Sequence, residues 1–348
     1  MIASEVTQFK NREPPVKETT MSDVSLLNAA IQKESVFIDR MFSEVGKVVV
    51  GQKEMIEGIL MGLLTGGHVL LEGVPGLAKT LTISSVSRAI SLHFQRVQFT
   101  PDLLPSDLIG TMIFNPKTGE FSPKTGPIFT NILLADEINR APAKVQSALL
   151  ECMAEKQVTI GDKTYKLENP FLVLATQNPL EQEGTYPLPE AQMDRFMFKI
   201  IVNYPNKGDE MEIMNRMGTD NQPNVSPVIS KEELLKARAI VDQIYVDKKI
   251  QTYIVDLVMA TREPAEYGVG QLEDLIQVGG SPRATISLVR AAKAHAFLQK
   301  RAFVTADDVK AVAYNVLRHR LILTFEAEAE DIKSDQVIKD LLNQIEVP

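Results

Sequence analysis

Tryptophan is absent from this chain, cysteine occurs once, at Cys152, and histidine four times. A single cysteine excludes an internal disulfide framework and fits a reducing compartment, while four scattered histidines offer no zinc spacing. No apolar run reaches the ~18 residues of a membrane-spanning helix, and no basic patch followed by an apolar core opens the chain. Membrane spanning and secretion are therefore not expected, and a cytoplasmic location is. Acidic residues outnumber basic ones, 45 to 37, for a net charge of −8. Such a balance disfavours broad contact with a nucleic-acid backbone, although a local basic groove stays open. Cys152 falls in helical sequence, where a small buried apolar role is favoured over a catalytic thiol.

What is present is a soluble globular composition, 44% hydrophobic and 24% charged over 348 residues, enough for two domains and a tail. Residues 1–22 are polar, carry Pro14-Pro15 and lack periodic apolar positions, which predicts a disordered arm. From Val24 to Val45 apolar residues recur at helical spacing, and Lys53 to Leu64 reads as a second helix. Five short apolar segments then read as buried strands: Val69 to Leu71, Arg96 to Phe99, Ile132 to Ala135, Phe171 to Ala175 and Phe198 to Val202. Helix-length sequence between them is the signature of a parallel α/β sheet. Two stretches, Thr111 to Phe121 around Pro116-Lys-Thr-Gly119 and Gln157 to Lys166 around Gly161-Asp162, predict inserted β-hairpins.

Beyond Tyr204-Pro205 the alternation ends. Lys231 to Ile244, Lys248 to Arg262, Pro282 to Lys300 and Ala306 to Arg318 carry helical spacing, with start signals at Ser281-Pro282 and Thr305-Ala-Asp-Asp308. The expected division is an arm over 1–22, an α/β domain over 23–206 and a small all-helical domain over 207–348.

Gly73-Val74-Pro75-Gly76-Leu77-Ala78-Lys79-Thr80 lies between the first strand and a helix. A turn of this kind wraps backbone N–H groups round a polyphosphate, with Lys79 near the β/γ-phosphates and Thr80 on Mg²⁺. Ala78 departs from the pattern, which has glycine before the lysine. The strand Ile132 to Ala135 ends in Asp136-Glu137, and its distance along the chain lets it lie side by side with the loop-bearing strand. Asp136 would hold Mg²⁺ and Glu137 would orient the water that attacks the γ-phosphate. Asn178 ends another apolar strand, where it either reaches the phosphate or serves as a turn-forming Asn-Pro. Arg195 and Arg283 supply guanidinium groups of the kind that stabilise phosphoryl transfer, or surface ion pairs.

With these elements in order, the chain resembles the MoxR family of AAA+ ATPases over about residues 40–320. The likeness rests on Gly73 to Thr80, Leu134-Ala-Asp-Glu-Ile-Asn-Arg-Ala-Pro142, Ala175-Thr-Gln-Asn-Pro179, Leu188-Pro-Glu-Ala-Gln-Met-Asp-Arg-Phe196 and Ser281-Pro-Arg-Ala284. The resemblance implies ATP and Mg²⁺ as ligands, Asn178 as first sensor, Arg195 as arginine finger and Arg283 as second sensor on a lid helix. It also implies that Val50-Gly51-Gln52 reads the adenine, that Ala78 is a tolerated variant and that the hairpins decorate the face or pore of a ring. The expected function is ATP hydrolysis by a homo-oligomeric ring, a hexamer by resemblance, that remodels or matures a protein partner, with a von Willebrand factor A domain protein as candidate client. Two other readings stand beside it: a nucleic-acid motor, for which Arg290, Lys293, Lys300 and Arg301 would be the contact cluster, and a nucleotide-gated scaffold without turnover.

Overall fold

The computed structural model describes residues 21–179, 184–218 and 223–348. The predicted disordered arm therefore lies outside the described residues, except for its last two positions, which already belong to a helix. That helix, α1 (Met21–Glu34), and α2 (Val36–Val45) replace the single helix expected from Val24 to Val45. The break falls at Ser35, a buried residue at the N-cap of α2. Ile31 of α1 and Ile38, Met41 and Val45 of α2 join the same apolar cluster, so the spacing carries on across the break and hides it.

After α3 (Lys53–Thr65) come β1 (Val69–Glu72), α4 (Lys79–Ala89), β2 (Phe94–Gln98) and α5 (Pro105–Ile109). The first hairpin, β3 (Gly110–Asn115) with β4 (Glu120–Thr125), precedes β5 (Ile132–Asp136) and α6 (Ala143–Glu155). The second, β6 (Gln157–Ile160) with β7 (Lys163–Lys166), precedes β8 (Leu172–Gln177), α7 (Glu190–Met193) and β9 (Phe198–Ile201). Both hairpins stand where alternating residues around a turn predicted them.

The five expected strands form one parallel sheet in the order β2-β5-β8-β1-β9. The side-by-side placement of β5 and β1 that the chain distance allows is not the one adopted, because β8 is inserted between them. The register compensates. Glu72 is level with Gln177, and Gln98 with Asp136, so the loop after β1 and the polar ends of β2, β5 and β8 share one edge. Alternation along each strand covers both faces with helices. Val69 and Leu71 join the cluster that includes Leu134, Leu174 and Phe198, while Leu70 joins Leu133, Ala135, Val173 and Leu149. Truncating fully buried Leu133 to alanine would cost about 2–5 kcal/mol.

Helices follow: α8 (Lys207–Met217), α9 (Lys231–Gln243), α10 (Lys248–Met259), α11 (Pro282–Leu298), α12 (Ala306–Leu317), α13 (Phe325–Ala329) and α14 (Ser334–Gln344). The predicted caps are in place, with Ser281 accepting from the Arg283 N–H and Asp308 accepting from the Thr305 N–H at 2.7 Å. This helical region also carries a ribbon that the apolar spacing did not reveal, β10 (Ile276–Val278) with β11 (Ile322–Leu323). Strands of three and two residues are too short to show alternation. The apolar cluster on one sheet face continues into these helices, through Leu234, Leu257, Leu288 and Val316.

Candidate functional site

The loop after β1 is shaped by three backbone requirements. A side chain on Gly73 would meet the Val202 carbonyl oxygen at 2.6 Å, so this position must be bare for β9 to pass. Gly76 has φ of 87°, and Ala78 has φ 53° and ψ 21°, a left-handed conformation at the N-cap of α4. The motif's glycine has its reason in that angle, and alanine adopts it at a cost of about 1–2 kcal/mol. Leu77 is buried and anchors the loop, Val74 packs partly against the core, and Pro75 and Gly76 stay exposed. Lys79 donates to the Gly73 carbonyl at 2.6 Å. Burial lowers its pKa, and the charges of Asp136 and Glu137 partly restore it.

Two carboxylates face this loop. Asp136 accepts from Arg96 Nε at 2.9 Å and from the Thr176 hydroxyl at 2.6 Å. The same hydroxyl accepts the Glu137 N–H at 2.8 Å, so Thr176 ties the two acidic residues to β8. Glu137 has φ of 57°, an uncommon angle for a residue without glycine's freedom, and it turns its carboxylate to Gln98 at 2.6 Å and Arg140 at 3.2 Å. Arg96, Asp136, Glu137, Thr176 and Asn178, the last 7% exposed, line with Lys79 and Thr80 a cleft of ≈ 430 Å³. The donors suit Mg²⁺, which takes oxygen ligands and few protein carboxylates: Thr80 and Asp136 would hold it, and when bound it would neutralise charge on the phosphates.

Val50-Gly51-Gln52 lies outside that cleft but close to it in the fold. Gly51, with φ of 73°, packs so tightly on Asp209 that a side chain would meet Oδ2 at 2.6 Å. Asp209 is on α8, which follows β9, and Val202, the residue after β9, is the one against Gly73. The segment and the glycine loop are thus held by the same stretch of chain.

Arg195 and Arg283 are not brought to the carboxylates. They line a second cleft of ≈ 310 Å³ with His68, Lys156, Arg290 and Arg320, and the two clefts share no lining residue. Arg195 is exposed and donates to the Leu150 carbonyl at 2.9 Å. Arg283, 60% exposed, pairs with Asp194 at 3.3 Å. His68 is buried at the cleft's edge, where Nδ1 accepts the Val173 N–H at 2.9 Å, and burial lowers its pKa to about 4.

Residues 68–198 match the family described as ATPase family associated with various cellular activities (AAA), and residues 272–341 match the AAA lid domain. Chaperone MoxR1 of Mycobacterium tuberculosis is 47% identical over 311 residues, covering 89% of this chain and 82% of that protein. The chain belongs to the MoxR family of AAA+ ATPases. Protein MoxR of Methylorubrum extorquens is 30% identical over 87% of this chain and 91% of its own. The crystal structure of a candidate ATPase from Cytophaga hutchinsonii superposes with a TM-score of 0.87 at 52% identity, covering 95% of this chain and 99% of that one.

In this MoxR-family chain the cluster Arg290, Lys293, Lys300 and Arg301 is engaged within the fold, two of its members by carboxylates and two by backbone carbonyls. Arg290 donates to the Thr65 carbonyl, Lys293 to the Asp242 carbonyl at 2.8 Å, Lys300 to Asp39 at 2.5 Å and Arg301 to Asp308 at 2.6 Å. Cys152 is buried with its thiol pushed up to about 11 by desolvation first, which leaves it a poor nucleophile. Among the described residues no helix is long and apolar enough to cross a membrane. Motif reading missed Arg96, Gln98 and Arg140, the partners of the two carboxylates. A faint signal was there in Arg96 and Gln98, polar residues two apart on a strand otherwise read as buried.

Proposed function

We propose that this protein hydrolyses ATP with Mg²⁺ at a site completed by a second copy of itself in a closed ring. The reading is supported above all by the separation of the clefts. A chain with loop, carboxylates and amide on one face, and two exposed arginines on another, has both halves of a phosphoryl-transfer site but does not bring them together. In this reading the loop N–H groups and Lys79 hold the phosphates, Glu137 orients the attacking water and Asn178 contacts it or the γ-phosphate. Arg195 and Arg283 of one copy then stabilise the charge developing on the phosphate bound by the next, and Val50 to Gln52 contact the adenine.

The ring would use this cycle, in the cytoplasm, to remodel or mature a protein partner. That step leans on the likeness to Chaperone MoxR1 and on family resemblance, from which come the hexamer and a von Willebrand factor A domain client. Sedimentation of Glu137→Gln with ATP tests the assembly, and affinity capture on the same variant tests the client. A chain that sediments as a monomer while the native protein releases phosphate at full rate would overturn the shared site.

A further inference from the structure

Arg320 is almost entirely buried, with a side chain 2% exposed, and it lies far along the chain from every motif. Its guanidinium spans three parts of the fold. Nε donates to Asp194 Oδ1 at 2.8 Å, one terminal nitrogen to the Met197 carbonyl at 3.1 Å and the Val316 carbonyl, and the other to the Phe196 carbonyl at 2.7 Å. Longer contacts from that second nitrogen reach the Asp194 carbonyl at 3.3 Å and Ser287 Oγ at 3.4 Å. His319 reinforces the same seam, its Nε2 lying 2.9 Å from the Phe196 carbonyl, as does Arg318, which donates to the Lys199 carbonyl at 2.9 Å.

The carboxylate of Asp194 is consequently fixed on both sides. With Oδ1 committed to Arg320, Oδ2 is turned to the Ser281 hydroxyl at 3.1 Å and to Arg283 at 3.3 Å. Ser281 is the N-cap of α11, the helix that carries Arg283, and Arg195 is the next residue after Asp194. One buried guanidinium therefore sets the chain on which Arg195 sits and, through Asp194, the helix start on which Arg283 sits.

We infer that Arg320 is a positioning residue for the arginine cleft, holding Arg195 and Arg283 in register with each other through Asp194. The inference rests on the proposed action of those arginines on a neighbour's nucleotide. A planar five-donor fork suits the task, since lysine reaches a carboxylate with a single point charge and leaves the three carbonyls of residues 194, 196 and 197 unserved. Displacement of a charge-stabilising group by about 1 Å costs on the order of 100-fold in rate.

The test uses the full chain in mixed assemblies. Arg195→Ala and Glu137→Gln are each inactive alone in this scheme, but mixing them restores phosphate release, because an intact Glu137 in one copy meets an intact Arg195 from the other. Arg320→Met and Asp194→Asn should lower kcat roughly 10- to 100-fold, leave the KM for ATP near that of the native protein and regain activity when mixed with Glu137→Gln. A purely structural defect spoils a copy's own site and is not rescued by mixing. The inference fails if the Arg195→Ala mixture recovers but neither Arg320→Met nor Asp194→Asn does, or if both variants turn over at the native rate. If Arg320→Met does not fold, Asp194→Asn alone decides. No recovery with Arg195→Ala overturns the shared site itself, and this inference with it.

Discussion

Asp136 and Glu137 stand at the end of a buried parallel strand with each carboxylate tied to a partner on the same edge, whereas Arg195 and Arg283 stand exposed beside the helical region. The first cleft is self-contained. Its lysine, carboxylates and amide are placed by strand register, and its charges are balanced by Arg96 and Arg140. The second has more cations than it balances: Asp194 serves both Arg283 and Arg320, and Lys156 has its pKa lowered first by burial and then by the charges of Arg238 and Arg290. Excess positive charge facing solvent suits a surface that meets an anion carried by another molecule. Under the proposed function the first cleft both binds nucleotide and holds the water-orienting Glu137, whereas the second acts on turnover alone, and substitutions in the two clefts should divide accordingly.

The largest effect is expected from Arg195→Ala. If its guanidinium meets the transition state of a neighbouring copy, phosphate release falls by about 10³ to 10⁵ while nucleotide affinity, measured by equilibrium titration, stays near native. Loss of affinity equal to the loss of rate would break the contrast by moving Arg195 into the binding site. Next comes Glu137→Gln, which keeps the side chain's size and its contact with Gln98 but cannot act on water as a carboxylate. A drop of roughly 10² to 10⁴ in turnover with ATP still bound is the expected result. Unchanged single-turnover rates would remove Glu137 from the chemistry and favour Asp136, whereas no phosphate release from the native protein either would favour a nucleotide-gated scaffold.

How far such predictions were legible beforehand follows from the physics of each feature. Most of the sheet was readable because buried parallel strands are short apolar runs, and β1, β5 and β8 end in polar residues; β2, at the sheet edge, is exposed or half-buried, contrary to its reading as a buried strand. The helix starts at Ser281 and Thr305 were readable because capping is local. Strand order was not, since β8 enters between β1 and β5 from further along the chain. The partners of the carboxylates were hidden for the same reason: Gln98 meets Glu137 only once β2 and β5 are in register. Arg320 gave no signal beyond a polar Arg-His-Arg run ending an apolar helix, because its meaning lies in carbonyls more than a hundred residues away.

Acid should reach the arginine cleft through His68. Desolvation lowers this imidazole from 6.5 to about 4, so the native state keeps it neutral while the unfolded chain takes up a proton. Its contribution to stability is complete above pH 6.5 and is lost as pH falls towards 4, amounting to about 3 kcal/mol over that window. His319 is shifted in the same direction, first by burial and then by Arg320. Urea unfolding at several pH values checks the claim. The native protein should weaken through this range, and His68→Gln should weaken less steeply; equal slopes would leave His68 without the role given to it.

Ala78→Gly should have the smallest effect, and it asks whether the departure from the loop pattern matters for binding. The methyl group is exposed, so removing it forfeits no packing, and the left-handed angle of 53° becomes free of steric cost. Against that relief stands the greater freedom that glycine gives the unfolded chain, which takes back part of the gain. The balance is a stabilisation of about 0.5 kcal/mol in urea unfolding. Because the backbone angles are already those glycine would take, the N–H groups keep their directions, and ATP affinity should change by less than about threefold. A tenfold rise in affinity would show that the methyl group crowds the phosphates. The conformation of the loop, and not the residue that adopts it, would then no longer account for binding, and the phosphate cleft would be as unfinished as the arginine cleft.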